Sequence, residues 1–183
     1  MNVTQQVVKA ATIIGEGGVI AYPTEGVYGL GCDPFNKAAV EQILALKKRD
    51  VTKGLIVIGA NWQQLQPLTT AISALQLEKI LQSSQPTTWL LPASAMVPKW
   101  ITGDSSQIAV RIIDHPIAKR LCELAGVLVS TSANVSTQAS ALSAVEVKAI
   151  FDNRLAMIID APVGNLHKPT PIIDVISNKI IRA

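Results

Sequence analysis

Four short apolar runs constrain this chain more than any other feature. Val19–Tyr22, Leu55–Ile58, Ile108–Ile112 and Val127–Ser130 are four or five residues long, and each is entered from a glycine or a polar residue. Runs this short, dominated by Val, Ile and Leu, suit buried strands better than helices. Segments of helical period stand between them. Val3, Val7, Ala11 and Ile14 keep helical spacing until Gly15, Gly17 and Gly18 end it, and Val40, Ile43, Leu44 and Lys47 mark a second helix. Ile72, Leu75, Leu77, Ile80 and Leu81 suggest a third.

Pro116 suits the first turn of a helix that runs through Leu121 and Leu124 to a stop at Gly126. Ser143 followed by Glu146 fits a capping box opening another, to about Asn153. Thr88–Leu91, stopped by Pro92, reads as a strand, as do Ala156–Ile159 and Ile172–Ile176, while Gly26–Asp33 reads as a glycine-dotted loop. Strands and helices alternate, yet several strand-to-strand links are loops. The expected class is α/β, a twisted mixed sheet with flanking helices. With 183 residues and 49% apolar content, the chain is expected to form one domain over residues 1–183.

Several functional classes recede on composition. Aromatic residues make up 4% of the chain, too few for a surface that stacks single-stranded bases. A formal charge of +3 is compatible with phosphate-bearing partners without requiring them. Cys32 and Cys122 form no CxxC pair, and His115 and His167 complete no zinc-type spacing, so a metal site built by the protein is not expected. The Met1–Gln6 segment lacks the basic start of a signal peptide, and no apolar stretch approaches the ~20 residues of a membrane span. The chain reads as cytoplasmic, without a membrane partner.

Three polar stretches lie where strands or helices are expected to end: Tyr22–Glu25, Lys47-Lys48-Arg49 with Lys53, and Ser130-Thr131-Ser132-Ala133-Asn134. In α/β proteins those ends are where sites are usually built. No GxxxxGK[ST] occurs, and Gly26–Gly31 is not a GxGxxG turn, so a nucleotide would have to be held another way. Lys47, Arg49 and Lys53 could simply complement a helix C-terminus, or they could follow phosphate charge. Ser130, Ser132 and Asn134 could cap a helix or hold phosphate oxygens, and Thr24 could close a turn or face a cleft. Arg111 falls inside an apolar strand, so it needs a carboxylate from the protein or a ligand, with Asp114 the expected structural partner.

Taken in order, Ala21-Tyr22-Pro23-Thr24-Glu25, Lys47-x-Arg49 with Lys53-Gly54-Leu55, Pro86-x-Thr88, Ala109-Val110-Arg111 with Asp114-His115-Pro116, and Ser130–Asn134 resemble the YrdC/TsaC family. The resemblance runs from about residue 6 to the C-terminus. It implies a twisted α/β fold around a large basic cavity. It also implies a nucleotidyltransferase that makes threonylcarbamoyl-AMP and pyrophosphate from L-threonine, bicarbonate and ATP, with Mg2+ arriving on ATP. The product would pass to downstream tRNA-modifying proteins for threonylcarbamoyladenosine formation, with tRNA itself a possible partner.

By that resemblance Lys47 and Arg49 are the catalytic cations and, with Lys53, Ser132 and Asn134, bind the triphosphate and adenylate. Thr24, Thr88 and Ser130 would lie near the threonyl group or the phosphates, Arg111 would shape the cavity, and Thr170 would complete the nucleotide side. The chain departs from the family pattern at Gln85 and Thr137, where glycine is usual, at Asp50, where proline is usual, and at Asn165, near a usual arginine for which Lys168 could substitute. A non-catalytic binder of tRNA or double-stranded RNA, or another ATP-dependent ligase or carbamoyl transferase, would also accommodate the basic and hydroxylic stretches.

Overall fold

The computed structural model describes residues 1–166 and 168–182; His167, considered above as a metal ligand, lies outside them. In chain order the elements are α1 (Val3–Gly15), β1 (Ile20–Pro23), β2 (Tyr28–Gly31), α2 (Lys37–Lys47), β3 (Ile56–Gly59), α3 (Trp62–Leu65), α4 (Ala74–Leu81), β4 (Thr88–Pro92), α5 (Lys99–Thr102), β5 (Gln107–Ile112), α6 (Pro116–Ala125), β6 (Leu128–Ser132), α7 (Ala144–Phe151), β7 (Met157–Ile158), β8 (Ile172–Asp174) and β9 (Ile180–Arg182). The strands form one mixed sheet in the order β7-β1-β2-β6-β3-β5-β4-β8-β9. Parallel pairs (β1 with β7, β3 with β5, β4 with β8) are interleaved with antiparallel ones.

Local chemistry accounts for the helix boundaries. Asn2 caps α1 and exchanges hydrogen bonds with Gln5 in a capping box, and Ser73 does the same with Gln76 at α4. At α7 the Ser143 hydroxyl accepts from the Glu146 amide as expected, but the Glu146 carboxylate accepts from the Leu142 amide rather than from Ser143. The apolar faces of α1 and α6 meet over Ile20, Tyr22, Ile58 and Leu128, which makes one core layer. A larger apolar cluster, with Val57, Leu91, Val110 and Phe151 among its members, fills the other side.

Four features differ from the sequence reading. The glycine-dotted stretch is no simple loop, because Tyr28–Gly31 form a buried strand paired with both β1 and β6. Its glycines serve close approach: a Cβ on Gly31 would stand 2.6 Å from the Tyr22 ring and 2.7 Å from the Val129 carbonyl. β6 continues through Ser132, so the serine-threonine stretch lies within a strand instead of following it. The short helices α3 and α5 add to the expected elements, since four residues carry too little periodicity to be read. So does β9, whose three residues are all exposed. Among the described residues no helix is long and apolar enough to cross a membrane.

Candidate active site

One cavity of about 510 Å³ collects the polar stretches. Its floor is a row of side chains carried across neighbouring strands, in which Ser130 pairs with Ile56, Ile56 with Ala109, and Ala109 with Leu90. Above this floor stand six cations, Lys47, Arg49, Lys53, Arg111, Lys168 and Arg182. No Asp or Glu lines the cavity among the described residues. The concentrated positive charge suits a polyanion.

Lys47 ends α2. Lys48 follows in the left-handed conformation, with φ 49°, and turns the chain so that the Arg49 amide reaches the Leu44 carbonyl at 3.0 Å. The Lys47 side chain is 2% exposed, and its ammonium donates to the Ser132 carbonyl, to the Asn134 carbonyl at 2.9 Å and to Asn134 Oδ1 at 3.2 Å. Burial, and then the Arg49 charge, pull its pKa down to about 8. Asn134 is itself fixed, accepting from the Ser132 hydroxyl at 2.6 Å and donating to Val135 and Gln138 carbonyls. Arg49 donates to the Gly54 carbonyl at 2.9 Å, while its buried Nε has no partner among the described residues.

Arg111 finds its carboxylate in Glu25, 3.5 Å away, and not in the expected Asp114. Asp114 contributes only its backbone amide, which donates to Glu25 Oε1 at 2.8 Å, while its own side chain faces outward. Both members of the Arg111–Glu25 pair are buried, because the turn after β1 carries Glu25 inward over β5. Arg111 also donates to the Thr170 hydroxyl at 2.8 Å.

Thr24, Ser130, Ser132, Asn134, Thr170, Lys47, Arg49, Lys53 and Arg111 therefore all line one chamber, as the sequence reading required. Thr88 does not line it. It has no exposed surface, and its hydroxyl meets that of Thr170 at 2.9 Å, which makes it a support behind the wall. Thr24 donates its hydroxyl to the Val27 carbonyl at 2.7 Å, which closes the turn and still leaves the residue at the cavity.

The sequence reading missed Arg182 and Gln107. Arg182 reaches back from β9 to the Thr170 carbonyl, donating from Nη2 at 2.7 Å, and no motif announces it. Of the departures, Asp50 accepts from the Thr52 amide and hydroxyl and so supports the turn below Arg49. Thr137 lines the cavity with φ +74°, a conformation in which glycine is the natural residue. Gln85 borders a separate cavity of about 270 Å³, and Asn165 is exposed while Lys168 faces the site. Cys32 and Cys122 are buried, which pushes both thiols up to about 12, and among the described residues no cluster of three or more metal-ligating side chains occurs.

Known proteins share much of this sequence and fold. A threonylcarbamoyl-AMP synthase from Coxiella burnetii is 45% identical over 98% of this chain and 97% of its own length. A Pseudomonas aeruginosa threonylcarbamoyl-AMP synthase is 43% identical over 94% of each chain. A crystal structure of P. abyssi Sua5 complexed with L-threonine superposes with a TM-score of 0.85 and 35% identity over 92% of this chain, which spans only 50% of that longer protein. Residues 12–183 match the Sua5/yciO/yrdC family, described as telomere recombination. On the match of residues 12–183 to the family, the identity to these relatives and the shared fold, the chain belongs to the Sua5/YciO/YrdC family.

Proposed function

We propose that this protein is a threonylcarbamoyl-AMP synthase acting as a single domain over residues 1–183. The observation that carries the reading is the convergence of six cations and several fixed hydroxyls on one chamber with no Asp or Glu among its described lining residues, in a chain 45% identical to a synthase over nearly its whole length. The threonine amine combines with bicarbonate, losing water, to give a carbamate. A carbamate oxygen then attacks the α-phosphorus of ATP, and the bond to pyrophosphate breaks.

No side chain needs to act as nucleophile, so the protein's part is positioning and charge stabilisation. Lys47 and Arg49 face the phosphates with Lys53 at the rim, and Ser132 and Asn134 hold Lys47 in place. Arg111, Thr24, Ser130 and Thr170 form the end that would receive threonine. Among the described residues the lining offers no carboxylate to bind a cation, so Mg2+ would enter on the ATP phosphates with water as its remaining ligands.

Direct RNA binding at this site is disfavoured because Lys47 and Arg111 lie at 2% and 6% exposure, out of reach of a duplex backbone. The test is pyrophosphate release by purified protein. Release requiring ATP, L-threonine and bicarbonate together supports the reading, and none under those conditions refutes it. Lys47→Ala or Arg49→Ala should each lower the rate by about 10²–10³.

A further inference from the structure

One polar side chain in the chamber is oriented by a partner outside it. Gln107 opens β5, is half-buried, and lines the cavity. Its Nε2 donates to Asp174 Oδ2 at 2.8 Å, and Asp174 lies at the end of β8, outside the lining. Asp174 Oδ1 in turn accepts from the Ile176 and Ser177 amides at 2.9 and 2.8 Å. The hydrogen bond from Gln107, followed by that from Ser177, holds the Asp174 carboxyl below its ordinary range, so it is ionised at neutral pH. An ionised carboxylate only accepts, so it dictates which end of the Gln107 amide faces it. Oε1 must be the other end, and among the described residues it has no hydrogen-bond donor.

The surroundings fit a flat ring. Ile56, Ala109 and Leu90 form an apolar strip, Ala109 being its smallest member, and Ile172 and Ile181 also line the cavity. Gln107 lies two residues before Ala109 on β5, while Gly54 lies two before Ile56, the register partner of Ala109. The Gly54 carbonyl accepts from Arg49, so the amide stands near the cationic part of the chamber. An apolar strip with one fixed acceptor beside a phosphate clamp is the arrangement that reads a purine carrying an amino group.

We propose that Gln107, held by Asp174, is the residue that selects a 6-aminopurine nucleotide over a 6-oxopurine one. The inference rests on the adenylate-forming reading of this site and adds to it the means of base choice. The adenine amine donates to Gln107 Oε1. The 6-oxo group of hypoxanthine would instead set oxygen against oxygen, leaving two acceptors without a donor. Asp174 is a positioning residue, because it touches the amide and not the base.

Binding of ATP, inosine triphosphate and purine riboside triphosphate to the full chain, measured by calorimetry, tests this. The wild-type protein should bind ATP about 10–100-fold more tightly than inosine triphosphate, with purine riboside triphosphate between them. Asp174→Asn keeps Oδ1 for the two turn amides but presents a donor to Gln107. The Gln107 amide then turns over, its Nε2 enters the chamber, and the preference should reverse towards inosine triphosphate. Gln107→Leu should bring all three within about threefold. A preference unchanged in both variants overturns the inference, as does equal binding of the three by wild type. Equal binding with pyrophosphate formation intact overturns this inference alone, whereas no binding of any nucleotide overturns the nucleotide reading with it.

Discussion

The proposed placement of the triphosphate against Lys47 would make ATP binding a proton-linked event, and the linkage can be measured. In the free protein, burial and then Arg49 lower its pKa from 10.5 to about 8. A triphosphate placed against the ammonium adds negative charge and carries the pKa back towards its ordinary value. Between those two values the complex holds more protons than the separated partners. Affinity is therefore full below pH 8 and falls as pH rises through 8, by about tenfold per unit if recovery is complete. At pH 8.5 about three-quarters of free Lys47 is neutral, so each ATP should take up about 0.75 proton, against about 0.1 at pH 7. Titration calorimetry in two buffers of different ionisation enthalpy reads this number directly. Lys47→Met should abolish the uptake. Binding without proton uptake at pH 8.5, or uptake that persists in Lys47→Met, would refute the reasoning.

Three further outcomes follow from the geometry. Breaking the buried pair by Glu25→Gln or Arg111→Met should each cost about 3–5 kcal/mol in urea denaturation, and the double variant should lose less than the sum; additive losses would show that the two groups are not coupled. Thr137→Gly should stabilise the protein by about 0.5–1 kcal/mol, because φ +74° is strained for threonine and glycine's greater freedom in the unfolded chain offsets only part of the relief; a lower melting temperature would count against it. In Gly26→Ala the new methyl collides with the Lys168 carbonyl, which belongs to the cavity wall. Pyrophosphate formation should fall at least about tenfold with circular dichroism unchanged, as for other overpacked sites, and full activity would contradict the close approach.

Much of this arrangement is legible in the sequence, because its signals are local. Gly126, Pro116 and Ser143 place helix ends by rules that act within a turn, and the Ile- and Val-rich runs place the central strands. The illegible parts depend on partners distant in sequence. Gly29 and Gly31 carry the usual marks of a turn, and only the Tyr22 ring and the Val129 carbonyl packed against Gly31 reveal a strand. Proximity along the chain points Arg111 to Asp114, whereas the fold supplies Glu25 across 86 residues, the difference of the two positions. Thr88 illustrates the opposite case, a motif residue whose place behind Thr170 no spacing discloses. Arg182 gains its position from the pairing of β9 with β8, and Gln107 meets Asp174 only because β4 pairs with both β5 and β8, a placement that three-residue strands do not advertise.

The sheet joins Gly29 to Ser132 and Ile56 to Ser130, so the walls of the chamber come from widely separated parts of the chain. Closing such long loops gives up chain entropy before the contacts can return it. Recognition is consequently acquired in one step, and a half-made chain is blind to its ligand. On the proposed function, nucleotide at a hundred times its dissociation constant would favour the finished molecule by about 2.7 kcal/mol, and ATP would act as a selector for completed copies.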